Sequence, residues 1–342
     1  MSKKKLWVLF VTLGHNQWGG NRLSGKKYRD LYEAFDDNTW DYILQECHKT
    51  GVNTILLDVG DGVQYDSHPE LAVKNAWSKE RVHQEITRCK ELGITLIPKL
   101  NFSTSHDYWL GDYSRMISSS VYYQVTRELI HEIYEIFEHP AYIHLGMDEE
   151  NINNTKGGDY HVYRTGELLW HDLKHLIDCV AETGATPWIW CDPLFEHPEE
   201  YKNHIPADAA VISPWNYKAL LEEHFTPIAD LPDYAEFFGR PEWADQNIVY
   251  CEDCPDARAF RKVALPLMAE GYRYIPTASV YEGFEYNTPD VVQYFRDGGH
   301  EENVIGYMTA PWGLTTPEFE PRYQESLERL QKAREKFYPE EE

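Results

Sequence analysis

K-T-G-V-N-T-I-L-L-D, at positions 49–58, is the stretch whose reading decides the fold. A helical pattern runs into Gly51, which can supply the left-handed residue that closes a helix. An apolar, β-branched run follows within two residues and reads as a buried strand. The same unit returns as E-L-G-I-T-L-I-P at 91–98, E-T-G-A-T-P-W-I-W at 182–190 and A-E-G-Y-R-Y-I-P at 269–276. Helices that turn straight into strands at this spacing build right-handed β-α-β units and a parallel sheet.

Working outward, strands are predicted at 6–13, 54–59, 94–101, 141–148, 186–192, 210–216, 273–280 and 304–310. Helical patterns fill 38–49, 79–91, 119–138, 166–182, 257–270, 289–297 and 321–336. Eight strands in 342 residues, somewhat above the ~250 typical of the fold, predict an α/β (β/α)8 TIM barrel. A doubly wound open sheet fits less well, because no glycine-rich phosphate loop follows the first strand. The whole of 1–342 reads as a single catalytic domain with a long insertion after strand 6, at 218–255. That insertion carries Phe225, Phe237, Phe238, Trp243 and Tyr250. A loop of this length is usually a lid or a subunit contact, so a homo-oligomer stays open.

The formal net charge is -25, from 57 acidic and 32 basic residues. Such a field repels phosphate backbones and anionic membranes, which argues against a nucleic-acid or membrane partner. Eleven Trp and 24 Tyr give flat apolar rings with polar edges, suited to sugar faces, although most must serve the core. No stretch approaches the roughly 20 apolar residues of a membrane span. Lys3-Lys4-Lys5 ahead of an apolar run imitates a signal peptide, but no small-residue cleavage site follows, and a cytoplasmic location is expected. Cys47, Cys89 and Cys179 fall in helical patterns, as free thiols do in a reducing compartment. Cys251 and Cys254 form a lone C-x-x-C that reads as plain loop thiols.

Barrel chemistry sits at the C-terminal ends of the strands. The fourth strand, A-Y-I-H-L-G-M-D-E-E at 141–150, ends in three adjacent carboxylates. An isolated acidic pair is ordinarily solvated. Here His144 precedes the acids on the same strand, and the other strand ends also supply acids and aromatics: Asp58 and Asp61, Asn101 with His106 and Trp109, Trp190 with Asp192, Trp215 with Asn216 and Tyr217, Tyr281 with Glu282, and Trp312. That convergence predicts a sugar-processing site. Glycoside cleavage needs a proton donor and a group that stabilises a cation-like carbon, and paired carboxylates in unlike environments supply both. Adjacent strand residues face opposite ways, so Asp148 is expected to point to the barrel axis and Glu149 to reach in from the rim, or the reverse.

His144-Leu145-Gly146-Met147-Asp148-Glu149 resembles the H-x-G-x-D-E motif of glycoside hydrolase family 20, the β-N-acetylhexosaminidases. The block at 68–101, H-P-E-L through L-G-I-T-L-I-P-K-L-N, is similar to that family's P-E-L…G-I-x-V-I-P-E-I-D region. Trp190-Cys191-Asp192 looks like its W-x-E, with Asp in place of Glu. The resemblance implies a catalytic pair, Glu149 as general acid/base and Asp148 orienting the 2-acetamido group of a small carbohydrate substrate. It implies Trp190, Trp215 and Trp312 as walls, Tyr281 on the acetamido oxygen, and no cofactor or metal. Asp61, Asn101, His106, His144, Asp192 and Glu282 complete the expected substrate-binding set, with Glu282 the main rival as nucleophile. The family's arginine after strand one has no clear counterpart, and His15, Asn16 or Arg22 would have to substitute. Alternative readings are a glycosidase with an enzymic nucleophile, a metal-dependent sugar isomerase, and a non-catalytic sugar-binding barrel.

Overall fold

The computed structural model describes residues 4–18, 27–150, 162–224 and 255–341. Among the described residues nine parallel strands are hydrogen-bonded into one curled sheet. They are β1 (Leu6–Thr12), β2 (Thr54–Asp58), β3 (Thr95–Lys99), β4 (Tyr142–His144), β5 (Thr186–Trp190), β6 (Val211–Ser213), β7 (Arg273–Tyr274), β8 (Thr277–Ala278) and β9 (Gly306–Thr309). β1 pairs in parallel with β2 on one side, Val8 opposite Thr54, and with β9 on the other, Leu6 opposite Gly306. The strand order runs β7-β6-β5-β4-β3-β2-β1-β9-β8, so its two ends are consecutive in the chain.

The predicted strand at 273–280 is interrupted at Ile275-Pro276, which separates β7 from β8. Both neighbours still bond to this run: Ile275 N donates to Ile212 O at 2.9 Å, and Met308 N donates to Pro276 O at 2.9 Å. Proline has no N–H, so a ladder bond is missing where it stands. The architecture is an α/β fold of the TIM-barrel type.

The helices wrap the outside: α1 (Asp37–Thr50), α2 (Lys79–Glu91), α3 (Ser120–Ile136), α4 (Glu167–Thr183), α5 (Asp192–Glu196), α6 (Pro198–His204), α7 (Pro255–Ala269), α8 (Asn287–Asp297) and α9 (Glu320–Phe337). The repeated unit behaves as its sequence implies. Gly51, Gly93, Gly184 and Gly271 all take positive φ, from 73° to 99°, at the ends of the helices that precede strands. The short helices α5 and α6 follow β5 at once, and the sequence pattern did not reveal them.

Two apolar cores result among the described residues. One, between sheet and helices, includes Leu9, Val11, Ile55, Leu57, Leu129 and Leu173. The other fills the barrel with the opposite strand faces: Val8, Phe10, Leu56, Ile97, Trp188, Trp190, Val211, Ile275 and Met308. Trp190 is thus the top of a packed barrel floor, 1 % exposed. Nearly all of the predicted insertion at 218–255, with Cys251 and Cys254, lies outside the described residues, as does Arg22. Among the described residues no helix is long and apolar enough to cross a membrane.

Candidate active site

The fourth strand stops at His144, four residues short of its predicted end, because the chain then leaves extended geometry. Gly146, Met147 and Glu149 take φ of 75°, 71° and 52°. A side-chain carbon on Gly146 would meet Asn101 Oδ1 at 2.0 Å, so only glycine lets this tip approach the end of β3. Met147 and Glu149 have no such licence, and left-handed backbone at a non-glycine residue costs of order 1–3 kcal/mol. Strain of this kind persists where surrounding contacts enforce it.

Those contacts are numerous. Trp190 N donates to Gly146 O at 3.0 Å, and Glu149 N donates to Asp192 Oδ1 at 2.9 Å. Ser103 Oγ donates to Asp148 O, and Ser105 Oγ donates to Glu149 O at 2.8 Å. Asn101 Nδ2 donates to Asp148 Oδ1 at 3.0 Å.

This geometry corrects the expectation that strand alternation sends Asp148 and Glu149 to opposite sides. Both carboxylates converge on one atom, His106 Nε2, at 3.3 Å and 3.2 Å. They differ in exposure instead: the Asp148 side chain is 15 % exposed and that of Glu149 40 %. Burial opposes charge on Asp148, but the His106 charge and hydrogen bond, Lys99 and Asn101 together hold its carboxyl well below the usual range. Burial likewise opposes charge on His106, and the two carboxylates overcome it, pushing the imidazole up to about 10. His106 is therefore cationic near neutrality.

Beneath this trio lies a second buried layer. Lys99 and Asp58 form an ion pair inside the barrel. His144 is fully buried; burial, with the Lys99 charge adding, keeps it neutral, and its Nδ1 accepts from Gly146 N at 3.0 Å. Its ring packs on Trp190, centroids 4.8 Å apart. The sequence carries a signal for each partner, Lys99 as a charge inside an otherwise apolar strand and Asp58 as a strand-end acid, but not for their pairing.

Asp192 stands beside the tip. Its Oδ2 accepts from Trp215 Nε1 at 2.7 Å while its Oδ1 serves Glu149 N. Burial, reinforced by the Asp148 charge, pushes its carboxyl up to about 8. Trp215, Tyr217, Trp312 and Trp190 form a continuous row, with successive centroids 5.2, 6.2 and 5.9 Å apart. A cavity of about 390 Å³ adjoins it, lined by Asp192, Glu196, Trp215, Tyr217, Phe260 and Glu282. Tyr217 stands within electrostatic reach of Asp148, Glu149 and Asp192 and joins the site, where the resemblance pointed to Tyr281. Tyr281 is 47 % exposed, with Arg322 over its ring at 5.7 Å.

Asp61 is on another part of the rim. Its Oδ2 accepts from Asn16 Nδ2 at 2.6 Å, and it lines a cavity of about 340 Å³ with Lys27, Tyr28, Tyr108 and Trp109. Burial pushes its carboxyl up to about 7. The structure thus gathers Asp148, Glu149, His106, Asn101, His144, Asp192, Trp190, Trp215 and Trp312 in one neighbourhood, with Glu282 at its edge, and leaves Asp61 and Tyr281 aside.

These shifts set a pH dependence of stability. Asp192 and Asp61 have folded values above the ~4 of an unfolded aspartate. Through these two groups the folded state binds more protons than the unfolded one between about pH 4 and 8, while the buried neutral His15 and His144, with lowered values, oppose them below ~6.5, so stability falls with rising pH chiefly above that point. His106 has the same sign higher up: its contribution is whole below ~6.5 and is lost towards 10. Asp148, with its depressed value, acts oppositely and only on acidification below ~4. The melting temperature is expected to be higher near pH 6.5 than near pH 8.5. Asp192→Asn should flatten that slope; a melt that rises with pH, or a variant with the parent's slope, contradicts the assignment.

No protein-family model and no curated protein sequence matches the chain. Solved structures do match. The GH20 β-N-acetylhexosaminidase from Streptomyces coelicolor A3(2) superposes with a TM-score of 0.60 at 12 % identity, over 96 % of this chain and 64 % of the other. The β-N-acetylhexosaminidase from Bacteroides fragilis gives 0.56 at 13 %, over 94 % of this chain and 65 % of the other. Dispersin B gives 0.57 at 13 %, covering 96 % and 98 %. The chain spans under two thirds of the first two proteins and nearly all of the third. What these likenesses establish is a shared fold: this barrel is built like those of β-N-acetylhexosaminidases, at 12–13 % sequence identity.

Proposed function

We propose that this protein is a retaining exo-β-N-acetylhexosaminidase or a close relative, acting on a small carbohydrate by substrate assistance. One observation carries the reading: two carboxylates at the end of β4 share a single cationic histidine yet stand in unlike surroundings. Glu149, the more exposed, is the general acid/base that protonates the leaving oxygen and later activates water. Asp148, buried and kept ionised, faces the positive charge that develops when the 2-acetamido oxygen attacks the anomeric carbon. Trp215 and Trp312 offer apolar faces to the sugar above the buried Trp190, and Tyr217 is better situated than Tyr281 to bond the acetamido group. The fold shared with β-N-acetylhexosaminidases supports the same reading.

An enzymic nucleophile is the competing mechanism. Asp192 suits it poorly, because a carboxyl pushed up to about 8 carries its proton at neutral pH. Glu282, lining the adjoining cavity, is the better rival. A panel of chromogenic β-glycosides with and without a 2-acetamido group tests the proposal. Turnover confined to the acetamido sugars is expected; equal turnover of both series would reject substrate assistance, and turnover of neither would reject the glycosidase.

A further inference from the structure

The third carboxylate of the tip, Glu150, has no part in the proposed chemistry, yet its side chain is only 5 % exposed. Its Oε1 accepts from Arg164 Nε at 2.8 Å and from Arg164 N at 3.2 Å, and its Oε2 accepts from Thr104 N at 3.1 Å. Arg164 is itself enclosed. Its Nη2 donates to Phe102 O at 2.5 Å, and its Nη1 lies 3.6 Å from Asp172 Oδ2 on α4. Asp172 accepts in turn from Ser118 Oγ and Tyr123 OH, both at 2.6 Å. Asp107, next to His106, faces the same guanidinium, but burial holds its carboxyl well above the usual range. The guanidinium charge is therefore met by Glu150 and Asp172.

A buried ion pair adds little net stability, since desolvation offsets the attraction; its better-attested use is to fix a register. The register here is between two segments that must meet for catalysis. Glu150 is the residue after Glu149. Phe102 and Thr104 flank Ser103 in the segment that continues through Ser105 to His106, and the serine hydroxyls hold Asp148 O and Glu149 O. The clamp closes where the backbone is least willing, beside left-handed Met147 and Glu149.

We infer that Glu150 and Arg164 are positioning residues: their buried contact sets where the Glu149 carboxyl stands against His106, and neither touches the substrate. The inference rests on the role proposed above for Glu149.

The double variant Glu150→Met with Arg164→Met replaces the pair by unbranched apolar chains, and Asp172, which loses the guanidinium, keeps its bonds from Ser118 and Tyr123. It should fold, yet kcat on β-glycosides with poor leaving groups should fall about 10- to 100-fold, the scale of a displacement near 1 Å. KM should change little, activated aryl glycosides should suffer less, and the alkaline limb of the pH–kcat profile should move. A purely structural pair predicts a lowered melting temperature with parental kcat and pH profile, which would overturn the inference. Should the double variant fail to fold, Arg164→Lys decides. It keeps the charge but loses the planar fork whose Nε and Nη2 reach Glu150 and Phe102 O separately, and a smaller loss in the same direction is expected; parental kinetics overturn the inference.

A second readout needs no turnover. The His106 imidazole, faced by Asp148, Glu149, Asp58 and Asp107, can be titrated by NMR. Its midpoint should drop in the variants as Glu149 moves away, and an unchanged midpoint counts against the clamp. A parent inactive on every glycoside would sink the hexosaminidase reading, while this titration would still decide the positioning of Glu149.

Discussion

Glu149→Gln is expected to lower kcat by roughly 10²–10⁴-fold on substrates with poor leaving groups, the contribution of general acid catalysis. The substitution keeps the shape of the side chain and removes its proton. The backbone contact from Glu149 N to Asp192 Oδ1 at 2.9 Å and the Ser105 bond to Glu149 O do not depend on the side chain, so the tip should keep its course. What changes is chemistry. Gln cannot transfer a proton, and the 3.2 Å approach of His106 to the carboxyl loses its ionic character. Activated aryl glycosides, whose leaving groups depart without full protonation, should lose much less. The comparison of the two substrate series is the decisive measurement. Equal losses on both, or no loss on either, would remove Glu149 from the acid/base role.

How far such a site can be read from sequence depends on which physical rule governs each part. The helix–glycine–strand units were legible because they rest on local rules: a left-handed glycine ends the helix, and an apolar run must be buried. α2 at Lys79–Glu91 and α4 at Glu167–Thr183 stand within a residue of their predicted bounds for that reason. The strand-end list likewise put Asp148, Glu149, His106 and Asp192 on one rim, where the structure places them together, since barrel topology alone carries the ends of successive strands there.

What failed was period-2 reasoning carried past the end of β4. Gly146 and Met147 take the chain out of the strand, and from there the side-chain direction of Asp148 and Glu149 is set by tertiary contacts from Ser103, Ser105 and Asp192. The split at Ile275-Pro276 had a visible signal in the proline, but the bonds that bridge it come from Ile212 and Met308, far along the chain. The clamp between Glu150 and Arg164 was illegible for the same reason. A carboxylate at a strand tip looks solvated until the fold brings a buried guanidinium to it. Tyr217 was visible in the W-N-Y run, yet only packing on Trp215 and Trp312 separates it from Tyr281.

Asp148→Asn should cost roughly 10²–10³-fold in kcat on 2-acetamido substrates, the scale of losing one preorganised charge-stabilising group. The argument begins with what keeps Asp148 ionised. Burial works against its charge, and cationic His106 at 3.3 Å, Lys99 and the Asn101 amide at 3.0 Å prevail. A carboxylate held charged in a dry site is a preorganised partner for positive charge that appears only as the ring-closed oxazolinium forms. An interaction made mainly in the transition state lowers kcat and kcat/KM together when removed. Asn keeps an oxygen for the Asn101 amide, so the local bonding survives while the charge does not. A thiazoline mimic of the intermediate should therefore inhibit the parent strongly and the variant weakly. The rival mechanism predicts otherwise. With Glu282 or Asp192 as nucleophile, a 2-fluoro sugar should leave a covalent adduct on that residue, detectable by mass spectrometry, and the thiazoline should bind both proteins alike. An adduct with thiazoline indifference would replace substrate assistance by an enzymic nucleophile and leave Glu149 as the acid. Thiazoline discrimination without an adduct would assign to Asp148 the charge that the substrate's own amide requires.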